Sequence, residues 1–410
     1  MITNHWDIFT IFLYLFMAWF GTYCLKYMVN TDQKYTIIMN SNFKVEKWWF
    51  LWFNVWLFFA VFRYISNEIG GTDAPVYIDY FNTCLISDNN LYSYRTEPLF
   101  RLFTKTVKLI FNDYHIYFFI IYGVIVGSYI EFTKELSSKN TNVLPVIAGT
   151  YIYILSFNTI RNSFSIGILL IAIVYLYKEK YKRAFFSAIL SILMHTASVF
   201  YAPFLLFYLI TKKIKSFRIL TTITIACMAV LDILCKILRQ LVLNGTLNEL
   251  FNKLGLGQPF NVYAASNFGD NFWRDLFLFR INRPQFLLAI ILIIFVPVID
   301  KNIKKYGNET VAKFDLLKNI VLYDIMLLPV VYWFHVWRGP EYFVLARLLI
   351  WGYIAHLLSK KIHPNLRNVF YLGIFVISSF YCFYKINKYW DTSNLTPYLL
   401  EPIGYFLDSL

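Results

Sequence analysis

Charge is scarce in this chain: of its 410 residues only 15% are Asp, Glu, Lys or Arg, against 58% hydrophobic and 20% aromatic. A water-soluble domain carries about a quarter charged residues, so a soluble globular chain is excluded. Cysteine is scarce too. The five cysteines (Cys24, Cys84, Cys227, Cys235 and Cys382) form no CxxC pair, and only Cys84 falls in an outside loop of the topology derived below, which supports neither a zinc site nor a disulfide. There is no P-loop, and Gly255-Leu256-Gly257 lacks the third glycine and the strand-to-helix context of a dinucleotide fingerprint. ATP does not drive this protein directly, and no cofactor is expected. The six histidines (His5, His115, His195, His335, His356 and His363) never take HExxH spacing, so no metal is expected either. Internal repeats and low-complexity tracts are absent. Acidic residues are outnumbered, giving a net charge of +14. The basic residues flank apolar runs and form no stripe with stacking aromatics, so membrane lipids, not nucleic acid, are the expected partners.

What the chain has is apolar runs of about 16 to 22 residues separated by short charged loops, the length needed to cross a bilayer as a helix. Ten spans are expected, at 8–25, 48–65, 114–132, 143–157, 162–177, 219–235, 285–299, 319–334, 342–358 and 368–384. The first run lacks a basic leading segment and a small-residue cleavage site, and Asp7 precedes it, so it reads as a retained span and not a signal peptide. Between the fifth and sixth spans lies 184–210, preceded by Lys178, Lys180, Lys182 and Arg183 and followed by Lys212, Lys213, Lys215 and Arg218. The positive-inside rule puts both of its ends in the cytoplasm. Too short for two full spans, it is expected to be a re-entrant pair of half-helices bent at His195, with Pro203 loosening the second limb. Loops assigned inside hold 22 Lys and Arg in 74 positions; outside segments hold 14 in 141. Both termini therefore face out, as do two long loops at about 66–113 and 236–284. The fold class is an all-α polytopic membrane protein, one integral membrane domain over 1–410.

Loops of that length usually work or are disordered. These carry Tyr77, Tyr80, Tyr92, Phe100, Phe260, Phe272 and Trp273, a composition that favours order. Leu99, Phe100, Leu102, Phe103, Val107, Ile110 and Phe111 repeat at helical spacing against Arg101, Lys105 and Lys108, the pattern of an interfacial helix. Four polar clusters reach the outer side: Gly71-Thr72-Asp73 with Glu97-Pro98, Asn158 to Ser165 around Arg161, His195-Thr196-Ala197-Ser198, and Arg338-Gly339-Pro340-Glu341. Ionisable groups are costly near hydrocarbon, so their convergence on one water edge points to handling of a polar substrate, by an enzyme or a carrier.

Gly71-x-Asp73-x-x-x-Tyr77, then Glu97-Pro98, then Ile160-Arg161 opening a helix, then His195 ending a short helix after a basic loop, resemble the EpsG family of bacterial Wzy-type polysaccharide polymerases, over roughly residues 60 to 210. The chain departs from the family pattern twice. Arg161-Asn162-Ser163-Phe164-Ser165 stands for the usual Arg-Gln-x-x-Ala, and His195-Thr196-Ala197-Ser198 for His-x-Ser-Ala. The resemblance implies a glycosyltransferase of the bacterial inner membrane with a GT-C-like architecture and its two long loops in the periplasm. Such an enzyme joins undecaprenyl-diphosphate-linked repeat units into O-antigen, capsule or exopolysaccharide and releases undecaprenyl diphosphate. A chain-length regulator and a flippase are the protein partners that the resemblance implies.

Transfer from a lipid diphosphate needs a group to take the acceptor proton, and cations or dipoles for the charge on the departing diphosphate. Arg161, at a helix N-terminus, is the main diphosphate candidate; Arg280, Arg283 and Arg338 lie beside span ends. The base is sought among His195, Asp73 and Glu97, with His195 favoured, Asp73 competing, and Asp73 and Glu97 otherwise assigned to sugar hydroxyls. Asn158 and Glu341 join the substrate-binding set, and Tyr77, Tyr80, Trp273 and Trp337 are the candidate sugar-stacking rings.

Each has a plainer reading. Arg161 can snorkel, His195 can satisfy a carbonyl freed at the bend, Asp73 can form an Asx turn, Glu97 can pair with Arg95 or Arg101, and Arg338 with Glu341 can form a mutual ion pair. Two other functions compete with the polymerase. An O-antigen ligase or other lipid-linked-sugar transferase shares the chemistry and differs in acceptor. A lipid-linked oligosaccharide flippase would show repeat halves with matching broken helices, and the second half of this sequence offers no such partner.

Overall fold

A computed structural model of the chain describes residues 5–30, 36–40, 43–67, 69–85, 97–137, 143–214, 216–246, 271–277, 305, 307–334, 341–388, 395 and 398–408. The expected span at 285–299, with Arg280, Arg283, Trp337 and Arg338, lies outside these residues.

Helices dominate, as they must where no water is available to satisfy backbone amides. In chain order they are α1 (His5–Asn30), α2 (Lys47–Val61), α3 (Ala74–Thr83), α4 (Pro98–Phe111), α5 (Tyr114–Leu136), α6 (Val143–Leu155), α7 (Ile160–Tyr177), α8 (Tyr181–Met194), α9 (Ser198–Tyr201), α10 (Phe204–Thr211), α11 (Phe217–Leu243), α12 (Phe272–Phe277), α13 (Asn308–Met326), α14 (Leu328–Phe334), α15 (Val344–Ser359), α16 (Pro364–Lys388) and α17 (Glu401–Asp408). Among the described residues, five stretches are long and apolar enough to cross a membrane: Phe9–Val29, Tyr114–Leu136, Ile160–Tyr177, Phe217–Leu243 and Pro364–Asn387. Four shorter apolar helices accompany them, at Lys47–Val61, Pro145–Leu155, Ser198–Thr211 and Val344–Ser359. The chain is a helical membrane protein.

Two details depart from the sequence reading. The loop after α1 contains an antiparallel hairpin, β1 (Thr36–Asn40) paired with β2 (Phe43–Glu46). The run at 319–334 is broken at Leu327 into α13 and α14. Pro329 sits in the first turn of α14, where its missing N–H costs nothing, whereas within a continuous helix its ring would clash with the preceding turn.

The chain divides into two compact units, Met1–Ser198 with Trp351–Leu410, and Val199–Ile350. In the first unit α7 packs between α5 and α8, α2 lies on α5, and α1 and α16 lie on α6. α7 and α8 form a helical hairpin about the Lys178–Lys180 turn. Ser165 and Ser191 are equidistant in sequence from Lys178 and meet across it at 3.0 Å between hydroxyls. The Ser165 hydroxyl also lies 2.9 Å from the Ser191 carbonyl oxygen and the Ser191 hydroxyl 2.9 Å from the Ser165 carbonyl oxygen, and the Ser198 hydroxyl meets both, so the three hydroxyls share their protons within one cluster. Small hydroxyl residues let helices approach closely in apolar surroundings, and each interhelical bond there contributes about 0.6 kcal/mol. α5 approaches α7 from the other side at Gly167, where an added Cβ would lie 2.8 Å from Ser128 Oγ.

At the far end of this hairpin Lys178 pairs with Glu131 and Glu135, each at 3.0 Å, which anchors that cation onto the last turns of α5. The near end is closed by the C-terminal segment. Tyr64 N–H donates to the Leu399 carbonyl at 2.8 Å, and Glu401 accepts from Tyr114 and meets His115 Nε2, both at 2.8 Å. In the second unit, α13 is packed by α10 and α11, and α11 also lies on α14.

Candidate functional site

The near end of the α7–α8 hairpin is where the polar residues gather. Arg161 and His195 are also equidistant from Lys178, so the register that the serines fix brings both to one level, Arg161 in the first turn of α7 and His195 at the end of α8. α8 stops there because His195 turns to an extended conformation (φ −154°, ψ 126°) and Thr196 directs its N–H away from the helix ladder. The helix restarts at Ser198.

What Thr196 and His195 turn toward is Glu97. α4 packs on both α5 and α8, and Glu97, with extended backbone (φ −64°, ψ 148°), stands immediately before Pro98 at the N-terminus of α4. Its carboxylate makes no capping bond to its own helix. Instead Oε2 accepts from Arg161 Nη1 at 2.9 Å, while Oε1 bonds His195 Nδ1 at 2.8 Å, the Thr196 N–H at 2.9 Å and the Thr196 hydroxyl at 2.7 Å. Glu97, Arg161 and His195 keep 12%, 21% and 20% of their side chains exposed, so the cluster is sheltered but reachable. Burial pushes the Glu97 pKa up, yet the His195 hydrogen bond and charge, the Arg161 guanidinium and the Thr196 amide outweigh it and hold the carboxyl well below the usual carboxylate range.

Asp73 reaches the same place from another loop. Its N–H donates to Asn158 Oδ1 at 3.0 Å, and its side chain makes no capping bond to α3, so the Asx-turn alternative is not what the loop adopts. Gly71 has φ +106°, and a Cβ there would stand 2.4 Å from the Phe157 carbonyl oxygen, so only glycine lets the loop lie this close. Asp73 and Tyr77 are, with Glu97 and Tyr117, among the electrostatic neighbours of Arg161.

Of the residues singled out from sequence, Asp73, Tyr77, Glu97, Asn158, Arg161 and His195 thus share one end of the first unit. Glu97 pairs with Arg161, not with Arg101. Tyr80 is 2% exposed and packed in the core, which leaves it no ring face for a sugar, and Asn158 is largely buried against the Asp73 loop. Tyr77 keeps part of its surface and meets Phe100 edge-on at 5.9 Å. Trp273, on α12, and Glu341, just before α15, belong to the second unit.

The sequence reading passed over two features. Arg63, placed at the end of an expected span, is 1% exposed and bound to four groups. Asp324 of α13 and Arg347 of α15 form a buried ion pair in the second unit. The available signal was the same in both cases: a lone ionisable residue inside an apolar run.

The site unites a cation at a helix N-terminus, an ionised carboxylate, an imidazole and a second acidic loop, a set able to grip an anionic group and move a proton. No curated protein and no solved structure matches the chain. A family match does exist and runs well beyond the motif region, across residues 47–400. The chain belongs to the EpsG family.

Proposed function

We propose that this protein is a membrane glycosyltransferase that polymerises lipid-linked oligosaccharide repeat units, using an undecaprenyl-diphosphate donor at the periplasmic face of the bacterial inner membrane. The topology that goes with this reading keeps ten spans, a re-entrant segment at 184–210 and both termini outside. EpsG membership supports the polymerase class. The single observation that carries the site assignment is that one carboxylate, Glu97, holds both Arg161 and His195.

In this reading an acceptor hydroxyl attacks the anomeric carbon of the donor sugar. The bond from that carbon to the diphosphate oxygen breaks, and undecaprenyl diphosphate leaves with the electron pair. His195 takes the hydroxyl proton. A carboxylate accepting from Nδ1–H sets the tautomer that puts the basic lone pair on Nε2, so Glu97 orients the base and does not itself contact sugar. Arg161, helped by the α7 N-terminus, stabilises charge on the leaving diphosphate through its planar fork. Asp73 and Tyr77 receive the acceptor sugar.

Deleting the gene in its host and resolving the surface glycan on a gel tests the class. Loss of the long ladder with one repeat unit still on its anchor is the expected result. Absence of any exported repeat would indicate a flippase, and free polymer left on the lipid carrier a ligase.

A further inference from the structure

The loop bearing Asp73 and the turn bearing Arg161 come from separate parts of the chain, and one side chain touches both. Arg63 follows the end of α2 and is 1% exposed. Its Nε donates to the Gly70 carbonyl at 3.1 Å, and its Nη2 reaches the Phe157 carbonyl at 3.5 Å. Nη2 also donates to the Tyr122 hydroxyl at 3.0 Å, and that hydroxyl passes a bond to the Ser156 carbonyl at 3.2 Å. Nη1 closes onto the Ala60 carbonyl. The guanidinium carbon lies 5.2, 4.9 and 4.7 Å from the ring centres of Phe118, Tyr122 and Phe157. Carbonyl oxygens and aromatic faces are what a desolvated cation needs in order to remain charged and fixed.

Gly70 immediately precedes Gly71, whose backbone lies against Phe157, and Phe157 precedes the Asn158 that binds the Asp73 N–H. The Phe157 carbonyl that Arg63 grips therefore lies one residue from Asn158, and the Gly70 carbonyl three residues from Asp73, on the two sides of the contact that sets Asp73 against the start of α7. We propose that Arg63 is a positioning residue of the transfer reaction: its planar fork fixes the spacing between the acceptor-side loop carrying Asp73 and the donor-side helix carrying Arg161. This rests on the proposed roles of those two residues. Lysine keeps the charge but, as a single point donor, cannot hold both carbonyls in one plane. A brace of this kind acts on the geometry of reaction more than on substrate affinity, since a misplacement of about 1 Å costs about a hundredfold in rate.

The test uses the full-length protein in lipid nanodiscs with a polyprenyl-diphosphate-linked repeat unit, comparing Arg63→Lys, Tyr122→Phe and Arg161→Ala with the parent. Arg63→Lys should lower kcat by about a hundredfold with KM little changed. Tyr122→Phe, which removes only the hydroxyl, should lower kcat in the same way by a smaller factor, and it decides the matter if Arg63→Lys does not accumulate. Parental kcat in both variants, or a rise in KM that accounts for the whole loss, overturns the positioning role. Arg161→Ala separates the two readings. Loss of activity there with an unaffected Arg63→Lys removes only the brace, whereas full activity in Arg161→Ala removes the proposed site itself.

Discussion

The imidazole Nδ1 of His195 meets Oε1 of Glu97 at 2.8 Å, across 98 positions of chain. The other oxygen of that carboxylate is occupied by Arg161, so substitution at Glu97 disturbs two partners at once. Glu97→Gln would present an amide N–H₂ to one of its donors and should lower the polymerisation rate by about 10² to 10⁴, the range of a lost acid–base contribution. Glu97→Asp keeps the charge but not the reach and should recover only part of the loss. Initial rates of purified variants on a lipid-linked repeat unit check both.

The proton-transfer role makes a pH prediction. A base works only when unprotonated, so the parental rate should fall on the acid side as the imidazole takes up a proton, and His195→Gln should be slow throughout with that acid limb absent. A residual rate in His195→Gln that keeps the parental acid limb would transfer the base role to another group, with Asp73 first in line.

Stability should carry a separate signature. The folded-state pKa of Glu97 is depressed, so its contribution is fully present above the ordinary carboxylate value of about 4.3 and is lost as pH falls toward the folded value. The difference in melting temperature between parent and Glu97→Gln should shrink as pH falls below about 4. A difference that widened on acidification would mean the carboxyl is held protonated instead.

How much of this was legible in the sequence follows from what sequence can encode. Glu97, Arg161 and His195 stand out because each is ionisable in apolar surroundings. Their order along the chain carries the family pattern. That one carboxylate would join the other two was not legible, because the link depends on α4 packing across α5 and α8. Arg63 drew no reading from the sequence, because a single cation near the end of the run 48–65 does not say what it binds, and only the fold reveals it bound to Gly70 and Phe157. Asp324 and Arg347 were diluted within apolar stretches and become visible only as a pair. The break at Leu327 was readable from Pro329, but total hydrophobicity masked it.

The α7–α8 register should be sensitive to bulk more than to hydrogen bonding. Ser165→Ala removes one hydroxyl of a cluster that keeps Ser191 and Ser198 joined, and should cost about 0.6 to 1.7 kcal/mol. Gly167→Val adds a branched side chain where a Cβ alone would stand 2.8 Å from Ser128 Oγ, and should force α5 from α7, lowering both melting temperature and activity. Thermal melts in detergent, read beside the reaction rate, distinguish the two.

The central claim is that Arg161 and His195 act as one site through Glu97, and a double-mutant comparison of transfer rates tests it most directly. Purified Arg161→Ala, His195→Ala and the double variant are assayed on the polyprenyl-diphosphate-linked repeat unit. Groups that work as a unit lose nearly everything once either is gone, so the double variant should be little slower than the slower single variant. Losses that multiply, or single variants that polymerise at the parental rate, would contradict the account.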